Sequence, residues 1–93
     1  MLAYVSIGNS DDKLPQWEWA AFVEDVAHLL IDSTDVVVHG AWFSVPHSAF
    51  QNGCWCVETE GPEFLKAGLR VIAHRYRQDS IAWARVPETE FLR

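Results

Sequence analysis

Two stretches of helical periodicity, each set between β-rich runs, constrain this chain more than any other feature. Over residues 15–32 the apolar Trp19, Phe22, Val26, Leu29 and Leu30 recur at helical spacing, and Glu18, Asp25 and Asp32 step by seven along another face. Pro15 suits a first helical position, since its φ is fixed and it has no N–H to leave unpaired. A second helix opens at Gly61-Pro62, where Leu65, Leu69, Ile72 and Tyr76 step by four, three and four, and it stops at Gln78-Asp79. Residues 2–7, 36–43, 52–60 and 80–86 are rich in β-formers and read as strands. Turn chemistry at residues 8–13 and the loop around Pro46 separate these elements. The order β-α-β-β-α-β predicts an α+β, ferredoxin-like fold, a four-stranded antiparallel sheet with two helices on one face. Ninety-three residues make one such domain, with residues 87–93 as a short tail after the last strand.

Charge narrows the partners. The chain carries −6 overall, yet residues 14–65 hold no Lys or Arg, and six of the seven bases lie from Lys66 onward. Residues 1–65 carry −9 and residues 66–93 carry +3. Two helices of opposite charge sharing a solvated face explain this split more simply than a field that steers a charged partner. The three strands before the second helix have no Lys or Arg to meet phosphates, so nucleic acid is not an expected partner despite the aromatic residues. No apolar run reaches the ~18 residues of a membrane helix. The start Met1-Leu2-Ala3-Tyr4-Val5 has neither the basic nor the apolar region of a secretory signal. A cytoplasmic setting with reduced thiols is therefore expected. Cys54 and Cys56, two apart on one strand, have Cα atoms about 6.7 Å apart, at the long edge of disulfide geometry.

The aromatic load, five Trp, five Phe and two Tyr, exceeds what one helix-covered sheet face needs. Trp19, Phe22 and Phe64 are expected to fill the core. Trp42, Trp55, Trp83 and Tyr4 are then shared between two faces, and the face opposite the helices is expected to be apolar and to bind something. A sheet-on-sheet homodimer is the leading account, and the tail carrying Phe91 and Leu92 is its small rival. Hairpin register decides which side chains meet. An odd register, with opposing numbers summing to 95, sets His39 against Cys56 and Ala41 against Cys54. It puts Trp42 and Trp55 on one face with Val36, Val38 and Val57. An even register instead moves Trp42 to the cysteines and His39 to Trp55. The odd one is preferred because it makes one clean apolar face.

Sites of chemistry are weak. His39, Cys54, Cys56 and His47 are residues zinc favours, but the thiols of a C-x-C on one strand face splay apart, so no metal is expected. A thiol nucleophile with His39 or His47 and Glu58 lacks a helix N-terminus or a cation to activate it. His39-Gly40-Ala41 and His47-Ser48-Ala49 do not form the paired His-x-Ser/Thr motif of a two-histidine phosphoesterase. The loop Asn9-Ser10-Asp11-Asp12 has carboxylates for a cation, although acids before a helix start need no ligand. Trp17 lies off the face of Trp19 and is read as an exposed anchor or a cap over the sheet edge.

The runs Tyr4-Val5-Ser6-Ile7-Gly8-Asn9-Ser10-Asp11-Asp12-Lys13, His39-Gly40-Ala41-Trp42-Phe43-Ser44, Gln51-Asn52-Gly53-Cys54-Trp55-Cys56 and Gln78-Asp79-Ser80-Ile81-Ala82-Trp83 together resemble short uncharacterised proteins encoded by phages of actinobacteria. The resemblance implies a protein of the infected host's cytoplasm and gives no residue a role. The functional expectation is a small acidic, non-enzymatic interaction protein that dimerises or binds a protein, of the host if the resemblance is followed. Its aromatic sheet face has Tyr4, His39, Trp42, Trp55 and Trp83 as candidate binding residues. The alternative is a small-ligand or nucleotide-binding protein with a pocket between that face and a second subunit, His39 and Tyr4 supplying polar contacts. Neither reading calls for a cofactor.

Overall fold

The computed structural model describes residues 1–9, 13–45 and 50–93. The elements run β1 (Leu2–Gly8), α1 (Gln16–Asp32), β2 (Val36–Phe43), β3 (Asn52–Thr59), α2 (Pro62–Arg75) and β4 (Ala82–Val86). Strand order is β2-β3-β1-β4, and every neighbouring pair is antiparallel. This is the expected ferredoxin-like fold. β4 begins at Ala82, two residues later than β-propensity suggests. No helix among the described residues is long and apolar enough to cross a membrane.

The core lies between the sheet and the two helices. Alternation on β1 sends Ala3, Val5 and Ile7 inward, and β3 adds Trp55 and Val57. α1 contributes Phe22, Val26 and Leu30 at spacings of four, and α2 contributes Leu65, Leu69, Ile72 and Tyr76. Trp19 packs against this cluster, its ring 6.0 Å from Phe22. Phe64 does not fill the core as expected and is 81% exposed. It precedes Leu65 by one residue, about 100° around the helix from the buried stripe. Trp17 is exposed as well.

The charge split is resolved where the helices meet. Arg75 Nη1 donates to Asp25 Oδ2 at 3.1 Å, and Arg77 Nη2 to Glu18 Oε1 at 2.6 Å. Tyr76 Oη donates to the same Asp25 oxygen at 2.5 Å. Acids of α1 thus face bases at the end of α2. That end is a Schellman turn: Gln78 N–H reaches Ala73 O at 2.9 Å and Arg77 N–H reaches His74 O at 3.1 Å. Arg77 occupies its left-handed position with φ 57°, where glycine is usual.

At the start of α1, the buried Asn9 clamps the chain. Its Nδ2 donates to Leu14 O at 2.9 Å and to Gln51 Oε1 at 3.1 Å, and its Oδ1 accepts from Leu14 N at 3.0 Å. The Asn9 carboxamide is therefore committed to structure. The carboxylates expected beside it, Asp11 and Asp12, lie outside the described residues.

Candidate interaction face

The face of the sheet away from the helices is a grid of three rows. Val37, Glu58, Leu2 and Val86 make one row across the four strands. Gly40, Cys56, Tyr4 and Ala84 make the next, and Trp42, Cys54, Ser6 and Ala82 the third. These twelve positions include one charged residue, Glu58, and no Lys or Arg. Glu58 Oε1 lies 3.0 Å from His39 Nε2, which leaves an apolar field beside one polar pair.

The register that builds this grid is neither pure alternative. Val36, Val37 and Val38 pair with Thr59, Glu58 and Val57, following the odd register. The ladder then shifts by one, so that Gly40 opposes Cys56, Ala41 opposes Trp55 and Trp42 opposes Cys54. His39 is the extra residue of the bulge. A bulge reverses side-chain parity, and that corrects two expectations. His39 does not stand against Cys56, and Trp42 does not share a face with Trp55.

The expected binding residues therefore separate. Tyr4 and Trp42 come together on the open face, with ring centroids 6.0 Å apart at an interplanar angle of 62°. His39 stands at its margin, on Glu58. Trp55 is on the helix side and only 2% exposed, its ring edge-to-face with Phe43 at 5.4 Å. Trp83 pairs with Val5 and packs against the core, so it too lies behind the sheet.

Cys54 and Cys56 are both free thiols. Ser6 Oγ donates to Cys54 Sγ at 3.2 Å. Cys56 pushes the Tyr4 phenol above its ordinary value, chiefly because a thiolate beside it opposes a phenolate and also through their hydrogen bond. Burial and Cys54 add to the push in the same direction. No cation in the grid would favour a thiolate. No group of three His, Cys, Asp or Glu residues that could hold a metal occurs among the described residues, and His47 lies outside them.

No protein-family model matches the chain, and no curated protein is similar to it.

Sequence reading assigned nothing to a second feature, a cleft of about 650 Å³ between α2 and β4. Its walls include Lys66, Arg70, His74, Ile81 and Trp83. The signal was present in the sequence as bases repeating at intervals of four along the second helix.

Proposed function

We propose that this protein is a small non-enzymatic interaction module that pairs with a second copy of itself through the open sheet face. The observation that carries the reading is the Tyr4–Trp42 pair, left on a face almost without charge. Trp42 is 53% exposed and Val37 57% exposed. Large apolar groups held in water on one side of a sheet gain free energy when a second surface covers them. The tail does not supply that cover, since Phe91 is 77% and Leu92 86% exposed. A second copy fits the face because two charge-poor surfaces meet without stranding a buried ion, and a two-fold axis lets one patch serve both partners.

Sedimentation velocity at micromolar concentration tests this. The parent chain is expected to sediment as a dimer. Trp42→Glu is expected to sediment as a monomer with an unchanged circular dichroism spectrum. A parent chain that stays monomeric at every concentration measured would remove the second copy as occupant. The resemblance to phage proteins would then direct the search to a protein of the host cytoplasm.

A further inference from the structure

The cleft between α2 and β4 has a chemistry that the open face lacks. Lys66, Arg70 and His74 recur every four residues, so they stand one turn apart along one wall. Leu69, Ala73 and Ile81 give the cleft an apolar lining, and Trp83 supplies a broad ring. Lys66 Nζ stands 5.4 Å from the Trp83 ring centroid. The volume of about 650 Å³ suits a compact organic molecule.

Two features suggest a ligand rather than a solvated groove. The first is which cations are committed. Arg75 and Arg77 are tied to Asp25 and Glu18 on α1. Arg70 and His74 have no such partner among the described residues. Besides its place over the Trp83 ring, Lys66 has one ion pair among the described residues, an i,i+3 contact at 3.5 Å to the largely exposed Glu63, a pair of little strength that an incoming anion displaces easily. The second feature is Trp83 itself, a half-buried aromatic ring in the cleft wall, the kind of surface on which a flat group stacks. Asp79 is the carboxylate in the lining and fits a donor on the ligand rather than its anionic end.

We propose that the α2/β4 cleft binds a small organic anion carrying a flat ring. Its phosphate or carboxylate meets Arg70, flanked by Lys66 and His74, and its ring lies against Trp83 and Ile81. A nucleoside monophosphate and an aryl carboxylate share that chemistry. The site is independent of the open face and of whether two copies pair there.

The test is titration followed by ¹H–¹⁵N correlation spectra, in which the five Trp residues give five indole N–H signals. Trp83→Phe assigns the relevant one. Adenosine 5′-monophosphate and indole-3-acetate form the two arms, with adenosine and inorganic phosphate as controls. At least one arm is expected to shift the Trp83 indole signal and the Arg70 amide saturably, with a Kd below about 1 mM. Adenosine or phosphate alone should bind about tenfold more weakly or worse. Arg70→Glu, at an exposed position, should weaken the binding arm about tenfold with the rest of the spectrum unmoved. The proposal is overturned if neither arm gives a saturable shift, if phosphate alone binds as well as the ringed anion, or if Arg70→Glu leaves affinity unchanged.

Discussion

Tyr4 and Trp42 bring their rings to within 6.0 Å, although β3 runs between their two strands. The contact spans the β3 positions Cys54 and Cys56, which the register places directly opposite Trp42 and Tyr4. Cys54 is only 7% exposed on a face that no helix covers. We attribute its shelter to this aromatic bridge.

Thiol labelling follows from that shelter. Cys56 is half-buried, and it should react with a maleimide well before Cys54 in dilute, monomeric protein. Trp42→Ala should raise the Cys54 rate about tenfold or more, because access governs reaction when neither thiol has an activating cation. Mass spectrometry of the modified peptides over time reads both rates. Equal rates in the parent chain would remove the bridge as the cause of burial.

The two tryptophans of the hairpin should behave oppositely. Trp55→Ala empties a site that is 2% exposed and should cost about 3–5 kcal/mol in urea unfolding. Trp42→Ala, at 53% exposure, should cost about 1 kcal/mol or less under conditions where the chain is monomeric. A large loss from Trp42→Ala alone would mean that the residue belongs to the core.

The contrast between these two residues shows how far the sequence reached. Long helical periodicities and the element order were enough for the fold, because four- and three-residue steps leave a helix one face to bury. The hairpin was different. Its odd register held for Val36, Val37 and Val38 and failed at His39, where one extra residue reverses every following side chain. Gly40 inside a β-rich run was the available sign, since a glycine within a strand often marks a bulge. Composition could not decide the matter, because Val, Trp and Phe suit either face. Phe64 failed for a related reason: beside Leu65, hydrophobicity alone does not say which of two adjacent residues turns inward.

Gly53 tests the helix-facing side of the same hairpin. A Cβ placed there would lie 2.8 Å from Phe43 Cδ1 and 3.0 Å from Cε1. Gly53→Ala must displace the Phe43 ring from its edge-to-face contact with Trp55, and should cost about 1–3 kcal/mol. In a Phe43→Ala background the same change should cost far less. A double-mutant cycle measured by urea unfolding isolates this term. An equal cost in both backgrounds would assign it to the strand backbone instead.

Arg77 combines a strained backbone with an ion pair. Its left-handed φ of 57° disfavours any residue with a Cβ, while its guanidinium holds Glu18 at 2.6 Å. The Glu18 carboxylate, through their hydrogen bond and its charge, also pushes the Arg77 pKa up. Arg77→Ala and Arg77→Gly both lose the pair, so their difference reads the backbone alone. Arg77→Gly should be the more stable by about 1 kcal/mol. Equal stabilities would show that the Schellman turn relaxes without glycine.

The link between Tyr76 and Asp25 should appear as a dependence of stability on alkaline pH. Burial first, then the hydrogen bond to Asp25, push the Tyr76 phenol up to about 12 from an ordinary 10.0. The unfolded chain therefore gives up this proton at lower pH than the folded one. Between those two values the folded state binds more protons, so raising the pH favours unfolding. The contribution is fully present below pH 10 and is lost as pH rises toward about 12. Tyr76→Phe should flatten this part of the profile. At pH 7 it should also cost about 1.5–3 kcal/mol, the range for a hydrogen bond to a charged group, because among the described residues Asp25 then keeps only Arg75. Urea midpoints from pH 8 to 12 for both chains make the comparison, and Tyr4, raised in the same direction, is common to both. If the two profiles stayed parallel through that window, the alkaline loss would belong to groups other than Tyr76.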